Sequence, residues 1–247
     1  MKFVKCITET KFENKDGEVI EFVAQCKKKS KVKADKHGFY YDGEYPSMVV
    51  VEGKQMLHPI YRIWNNMETR ATSAKYQERC PTYAGVSVCQ EWKLYSNFAE
   101  WVMMQFDWLS RELDKDLMIA GNKRYSSETC RFVPHAINLL LTDGGNTRGD
   151  LPLGVSINKG RGYLQSRCLV NGQRIAATFG TNHPREDTGE MVKLAHRFWQ
   201  QSKIRAIRSA IAKNLVLLLD SDIIEALELG IEQLEQDIKH NNITTKL

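Results

Sequence analysis

The dipeptide Asn171-Gly172 stands between two alternating runs, YLQSRCLV before it and RIAATF after it. Asn and Gly both accept the positive φ angles of a two-residue type I′ turn, whose twist suits the flanking strands. The segment from Leu151 to Phe179 therefore predicts a small antiparallel sheet. GVSIN is its first strand, and Asn158 to Gly162 is a Gly-rich turn into the second. From Gly189 to Gln201, the apolar residues Met191, Leu194, Ala195 and Phe198 recur at helical spacing and would cover one sheet face. On the middle strand, Leu164, Ser166 and Cys168 point one way, whereas Gln165, Arg167 and Leu169 point the other. With the helix on the first set, Gln165 and Arg167 project from the free face. Asn158, Lys159, Arg161 and Arg174 join them from the turn and the third strand.

The charge pattern gives that face a partner class. The net charge is only +5, but between Leu151 and Lys213 there are 11 Lys or Arg against three acids. From Asn214 to the end, seven acids face two lysines. A basic block followed by an acidic tail implies that the block meets a polyanion. Arg and Gln read base edges bidentately in the major groove, Lys serves phosphates, and a sheet face of this size enters that groove.

A second candidate site lies in Leu113 to Leu141. Asp114 and Asp116 open an apolar run, Gly121-Asn122 marks a turn, and Cys130 to Val133 forms a second short run. Pro134 then opens a helix with Asn138 in its second turn. Strand, loop, strand and helix would bring Asp114 and Asn138 together, and two such oxygen donors make half of a hard-metal site. The plainer alternative makes Asp114 and Asp116 solvated strand-end acids and Asn138 a local hydrogen-bonding residue.

This stretch resembles the ββα-metal core of HNH endonucleases, in the divergent form found in many phage proteins. Upstream, Tyr61-Arg62-Ile63-Trp64, Tyr83-Ala84-Gly85, Val88-Cys89, Trp92, Asn97-Phe98 and Trp101 match the aromatic scaffold preceding that core. The likeness spans roughly residues 57 to 143. It implies that Asp114 and Asn138 hold Mg²⁺ or Mn²⁺ and that Asn122 braces the loop; Asp116 has no counterpart in the family, although its carboxylate is close enough in sequence to help hold the cation or activate water. Lys115 stands where the family usually carries its base histidine. An ordinary Lys, with a pKa near ~10.4, is a poor base unless desolvated. Three readings follow: a desolvated Lys115, a metal-activated water needing no side-chain base, or a site that cuts slowly or not at all. The later sheet is similar to the DNA-binding domain of ethylene-response (apetala-two type) factors, through Leu153-Gly154-Val155-Ser156, Val170-Asn171-Gly172, Arg174-Ile175 and Phe179. The order of core then sheet matches a fusion found in phage endonucleases.

The expected architecture is α+β. A small β-rich basic segment occupies 1–55, an HNH-like core 56–145, the DNA-reading sheet and helix 150–202, and C-terminal helices 203–247. The expected function is a sequence-specific, metal-dependent endonuclease on double-stranded DNA, of homing or free-standing phage type. One ββα site cuts one strand unless two protomers combine. The alternative is a non-catalytic DNA-binding regulator or anti-host factor on a decayed nuclease fold. In the last helix, Ile224, Leu227, Ile231, Leu234 and Ile238 form an apolar stripe that either packs on the protein's own core or forms a homodimer.

The chain is 42% hydrophobic and has no apolar run long enough to span a membrane. The N-terminus lacks the apolar core of a signal peptide, so a cytoplasmic location with reduced thiols is expected for the six cysteines. Cys80, Cys89, Cys130 and His135 make a weaker zinc set. His58 precedes Pro59 at the start of a helix and could cap it; His183, in a polar loop, and His196, on the surface of the helix around Lys193 to Arg197, are structural or solvated; and Trp64, Trp92, Trp101 and Trp108 are core. Strands are expected within Val19 to Val23 and Tyr40 to Val51. Between them, Lys27 to Lys36 carries six lysines, either a solvated loop or a phosphate track.

Overall fold

The structure is a computed structural model that describes residues 3–8, 11–14, 19–21, 23–24, 34–51, 54–141, 150–158, 162–180, 188–213 and 219–245. It is mixed α and β with several small sheets, and it divides into two compact units, Met1–Val133 and Pro134–Leu247. The division falls inside the segment 56–145 that the sequence reading treats as one core.

In the first unit, β1 (Phe3–Thr8), β2 (Lys11–Asn14) and β3 (Val19–Glu21) form one antiparallel sheet. A second joins β4 (Val23–Ala24), β5 (Met48–Val51) and β6 (Lys54–Leu57). The expected strand from Tyr40 to Val51 shrinks to β5, because Gly43 and Pro46 interrupt the pattern and Tyr40 makes only an isolated bridge to Leu94. Most of the lysine run, Lys27 to Lys33, lies outside the described residues.

Helix α1 (Pro59–Thr72) begins where the sequence reading places it, with Pro at the first position and the His58 ring accepting from the Ile60 N–H at 3.3 Å. Next come α2 (Ala74–Arg79), β7 (Ser87–Val88) and α3 (Tyr95–Met103). The expected tryptophans close the core between them. Trp64, Trp92 and Trp108 are buried, and Trp101 packs against that core. The Trp64 indole N–H reaches the Trp92 carbonyl at 2.7 Å, so its polar edge is satisfied. Beyond α3 run β8 (Arg111–Asp114), β9 (Arg124–Tyr125) and β10 (Arg131–Pro134). β8 pairs with β10, while β9 runs parallel to β7. The strand thus lies before Asp114, and the apolar run Leu117 to Ala120 is a turn region, contrary to the sequence expectation.

The second unit starts with α4 (His135–Leu141), which carries Asn138. Its sheet consists of β11 (Val155–Ile157), β12 (Leu164–Val170) and β13 (Gln173–Phe179), in the expected order. Asn171 and Gly172 have φ values of 54° and 78°, as the type I′ turn requires. The helix after the sheet, α5 (Thr188–Ala212), has 25 residues and runs through the boundary expected at 202/203. Nothing in Gln200-Gln201-Ser202-Lys203 breaks a helix, so propagation continues.

One side of α5 meets the sheet. Phe198 packs edge-on to Phe179, and the Trp199 ring lies flat over Gly154. The opposite side meets α6 (Ser221–His240), where Arg197 donates to the Ile238 carbonyl at 2.8 Å and Arg208 pairs with Glu235 at 2.6 Å. Leu227, Ile231 and Leu234 of α6 are buried as expected, with Ile223 and Asp237 in place of Ile224 and Ile238. Within this chain the stripe is spent on intramolecular packing, the first of the two expected outcomes.

His196 departs from the sequence reading, which puts it on a helix surface. It is buried, its Nδ1 lies 3.0 Å from the Leu153 carbonyl, and its Nε2 accepts the Thr244 N–H at 2.9 Å. A single neutral tautomer, with the proton on Nδ1, satisfies both contacts. His183 lies outside the described residues. Among the described residues no helix is long and apolar enough to cross a membrane.

Candidate nucleic-acid interface and carboxylate cluster

Asp114 ends β8 by an Asx turn. Its Oδ1 accepts the N–H groups of Asp116 and Leu117 at 2.8 and 2.7 Å, drawing the backbone out of the strand. Burial raises the Asp114 pKa above the usual carboxylate range, although the two backbone N–H bonds pull the other way. No hydrogen bond to its Oδ2 is formed among the described residues.

Lys115 is buried, at 6% exposure, and its Nζ has three acceptors. Both Asp116 carboxylate oxygens lie at 2.6 Å and the Asn122 carbonyl at 2.8 Å. The Asp116 carboxylate and the Asn122 carbonyl thus tie the Nζ into the loop. The Nζ also lies 5.9 Å from the Tyr83 ring centroid, a neighbour that local sequence does not reveal because it is 32 positions away. Asn122 braces the loop, as the resemblance implies: its side-chain amide donates to the Lys115 and Arg124 carbonyls at 2.8 and 2.7 Å, and its Oδ1 accepts the Arg124 N–H at 2.9 Å.

These contacts decide what the cluster offers a hard cation. Asp116, its side chain half-exposed, is held by Lys115 through both oxygens and Asn122 is tied to the turn, while the Asp114 Oδ2 has no hydrogen bond among the described residues. Among the described residues no group of three His, Cys, Asp or Glu is placed to hold a metal. Asp114 and Asp116 lie in the first unit and Asn138 in the second.

The sheet of the second unit is organised differently. Ser166 and Cys168 are buried beneath α5, while Arg167 and Leu169 are exposed. The Ser166 hydroxyl is buried with no hydrogen-bond partner, so that side is packed for shape rather than polarity. On the outer side the pairing register sets Ser156, Gln165 and Thr178 in one row, Arg167 opposite Ala176, and Leu169 opposite Arg174. Small neighbours let the long polar side chains stand clear of the sheet. Arg167 donates through Nη2 to the Gln165 Oε1, which preorients the guanidinium, and Arg174 is exposed.

Asn158 behaves otherwise. Its N–H donates to the Tyr163 carbonyl at 2.9 Å, its carbonyl accepts the Gly162 N–H at 2.8 Å, and its side chain reaches the Tyr163 hydroxyl at 3.3 Å. It closes the turn between β11 and β12. Lys159 and Arg161 lie outside the described residues. Ser156 and Thr178 share the outer face and were not singled out from sequence, although period-two alternation carried across the pairing would have found them. No Asp or Glu occurs between Leu151 and Arg185, so no carboxylate of this segment opposes the exposed arginines.

No protein-family model, curated protein or solved structure matches this chain.

Proposed function

We propose that this chain binds double-stranded DNA without cutting it, and that the outer face of β11, β12 and β13 enters the major groove. One observation carries the reading: Arg167 and Arg174 are exposed on an acid-free face whose opposite side is sealed by α5. A solvated face needs no such sorting, but groove readout needs a few long donors on a rigid platform. Gln165 and Arg167 are the base readers, and Arg174 meets a base or phosphate nearer the turn. The test begins by selecting a preferred site from a random duplex library. Arg167→Ala then lowers affinity for that site by ~1–3 kcal/mol while affinity for unrelated duplex changes little. Equal affinity for every duplex, before and after the substitution, overturns the role.

A second reading is Mg²⁺- or Mn²⁺-dependent cleavage, the activity implied by the HNH resemblance. Asp114 favours it, because a half-buried carboxylate whose pKa is raised by its surroundings is a common functional arrangement. The buried Lys115 weighs against it, since the residue at the position of the usual base is tied to Asp116 and to the Asn122 carbonyl. Incubation with supercoiled plasmid and either metal separates the two readings. The binding reading expects intact plasmid at protein concentrations that saturate duplex. Nicking that disappears in Asp114→Ala establishes cleavage instead.

A further inference from the structure

Helix α5 runs on past the part that covers the sheet; its last turns carry Arg205 and Ser209, and Lys213 follows directly after its end, at steps of four. Residues four apart share a helix face. The Lys213 N–H is shared between the Ser209 and Ala210 carbonyls, both at 3.2 Å, which holds Lys213 against the last turn. Ser209 locates that face, because its hydroxyl donates to the Asn171 side chain at the hairpin turn. Arg205 and Lys213 therefore flank the contact with the turn on either side. Both are exposed, and neither has an ion-pair partner among the described residues. Arg208, three residues from Arg205, is drawn to α6 and pairs with Glu235 at 2.6 Å. Two cations on one face stay open while the neighbouring cation is neutralised. A generic solvated helix has no reason to sort its charges in this way.

We propose that Arg205 and Lys213 form a phosphate-contacting stripe beside the hairpin turn, a second contact line distinct from the base-reading sheet face. The inference rests on the DNA-binding reading above. Eight residues of helix span ~12 Å, at ~1.5 Å per residue. That matches the rise of about three to four nucleotides along one strand at ~3.4 Å each. The outer-face cation nearest the turn is Arg174, so the sheet cations and the helix cations approach the same turn from two elements. A duplex seated on the sheet would carry its backbone along this stripe as it passes the hairpin tip. Guanidinium and ammonium groups placed this way recognise phosphate without reading sequence.

The experiment measures the salt dependence of binding to the selected duplex and to an unrelated one. The full chain is compared with Arg205→Gln/Lys213→Gln, which preserves helix propensity. The double variant is expected to flatten the slope of log K against log salt by about 1.8, at ~0.9 for each lost phosphate contact. The ratio of affinities for the two duplexes should stay unchanged. Arg208→Gln should leave the slope as it is, and Arg205→Lys/Lys213→Arg should restore it. An unchanged slope in the double variant, with wild type binding duplex normally, overturns the stripe and leaves the sheet reading intact. A changed affinity ratio also overturns it, because it makes these residues readers of sequence. Failure of wild type to bind any duplex removes both.

Discussion

Gly154→Ala is expected to cost about 3–5 kcal/mol and to lower the thermal midpoint of the second unit by many degrees, as read by calorimetry or circular dichroism. A Cβ at this position would stand 1.8 Å from the Trp199 Cδ1 and 2.1 Å from its Cγ. Neither partner can yield easily. Trp199 is 5% exposed, stacks on His196 at 5.5 Å, and has Lys203 over its ring at 5.4 Å. Gly154 also has φ +73°, a conformation that disfavours any side chain, and its carbonyl accepts the Arg167 N–H at 3.0 Å. Moving the backbone to relieve the overlap would disturb the strand that carries Arg167. Duplex binding should therefore weaken along with stability. A variant as stable as wild type would mean that the indole does not lie against this glycine.

The second large effect is acid destabilisation of the first unit through His58. Burial lowers its pKa from 6.5 to about 4, and its ring nitrogen accepts the Ile60 N–H, which requires the neutral ring. The unfolded chain thus binds this proton more readily than the folded one. The His58 contribution is complete above pH 6.5 and is lost as the pH falls toward 4. At ~1.36 kcal/mol per pKa unit the loss reaches about 3 kcal/mol. His58→Asn keeps a capping acceptor and has no charge to acquire. Urea unfolding across this window should show a steep loss for wild type that is much reduced in the variant. Parallel curves would assign the acid sensitivity to other groups.

Local chemistry made the second unit legible from sequence. The Asn171-Gly172 turn, the alternation on β12 and the spacing of Ala195 and Phe198 each act over a few residues, and each agrees with the fold. The Asp114 region was read less well because its outcome turns on competition. Leu117 to Ala120 has a strand-like apolar composition, but the Asp114 carboxylate captures two backbone N–H groups and ends the strand first. The burial of Lys115 depends on Tyr83 and on the carbonyl of Asn122, contacts made only once the chain has folded. His196 was misplaced for a related reason. Its partners, Leu153 and Thr244, are 43 and 48 positions away, and no helical periodicity reports them.

Helix α5 acts as a partition between opposite charges. The acid-free sheet lies against one of its sides, and α6, with Glu225, Glu228, Glu232 and Glu235, lies against the other. A body charged in this way has a permanent dipole along the stacking direction. In the field of a polyanion it experiences a torque before any atoms touch, and the arginine side turns forward. If the chain binds duplex as proposed, productive orientation is reached during diffusion, and its rate advantage fades once added salt shortens the ~10 Å screening length.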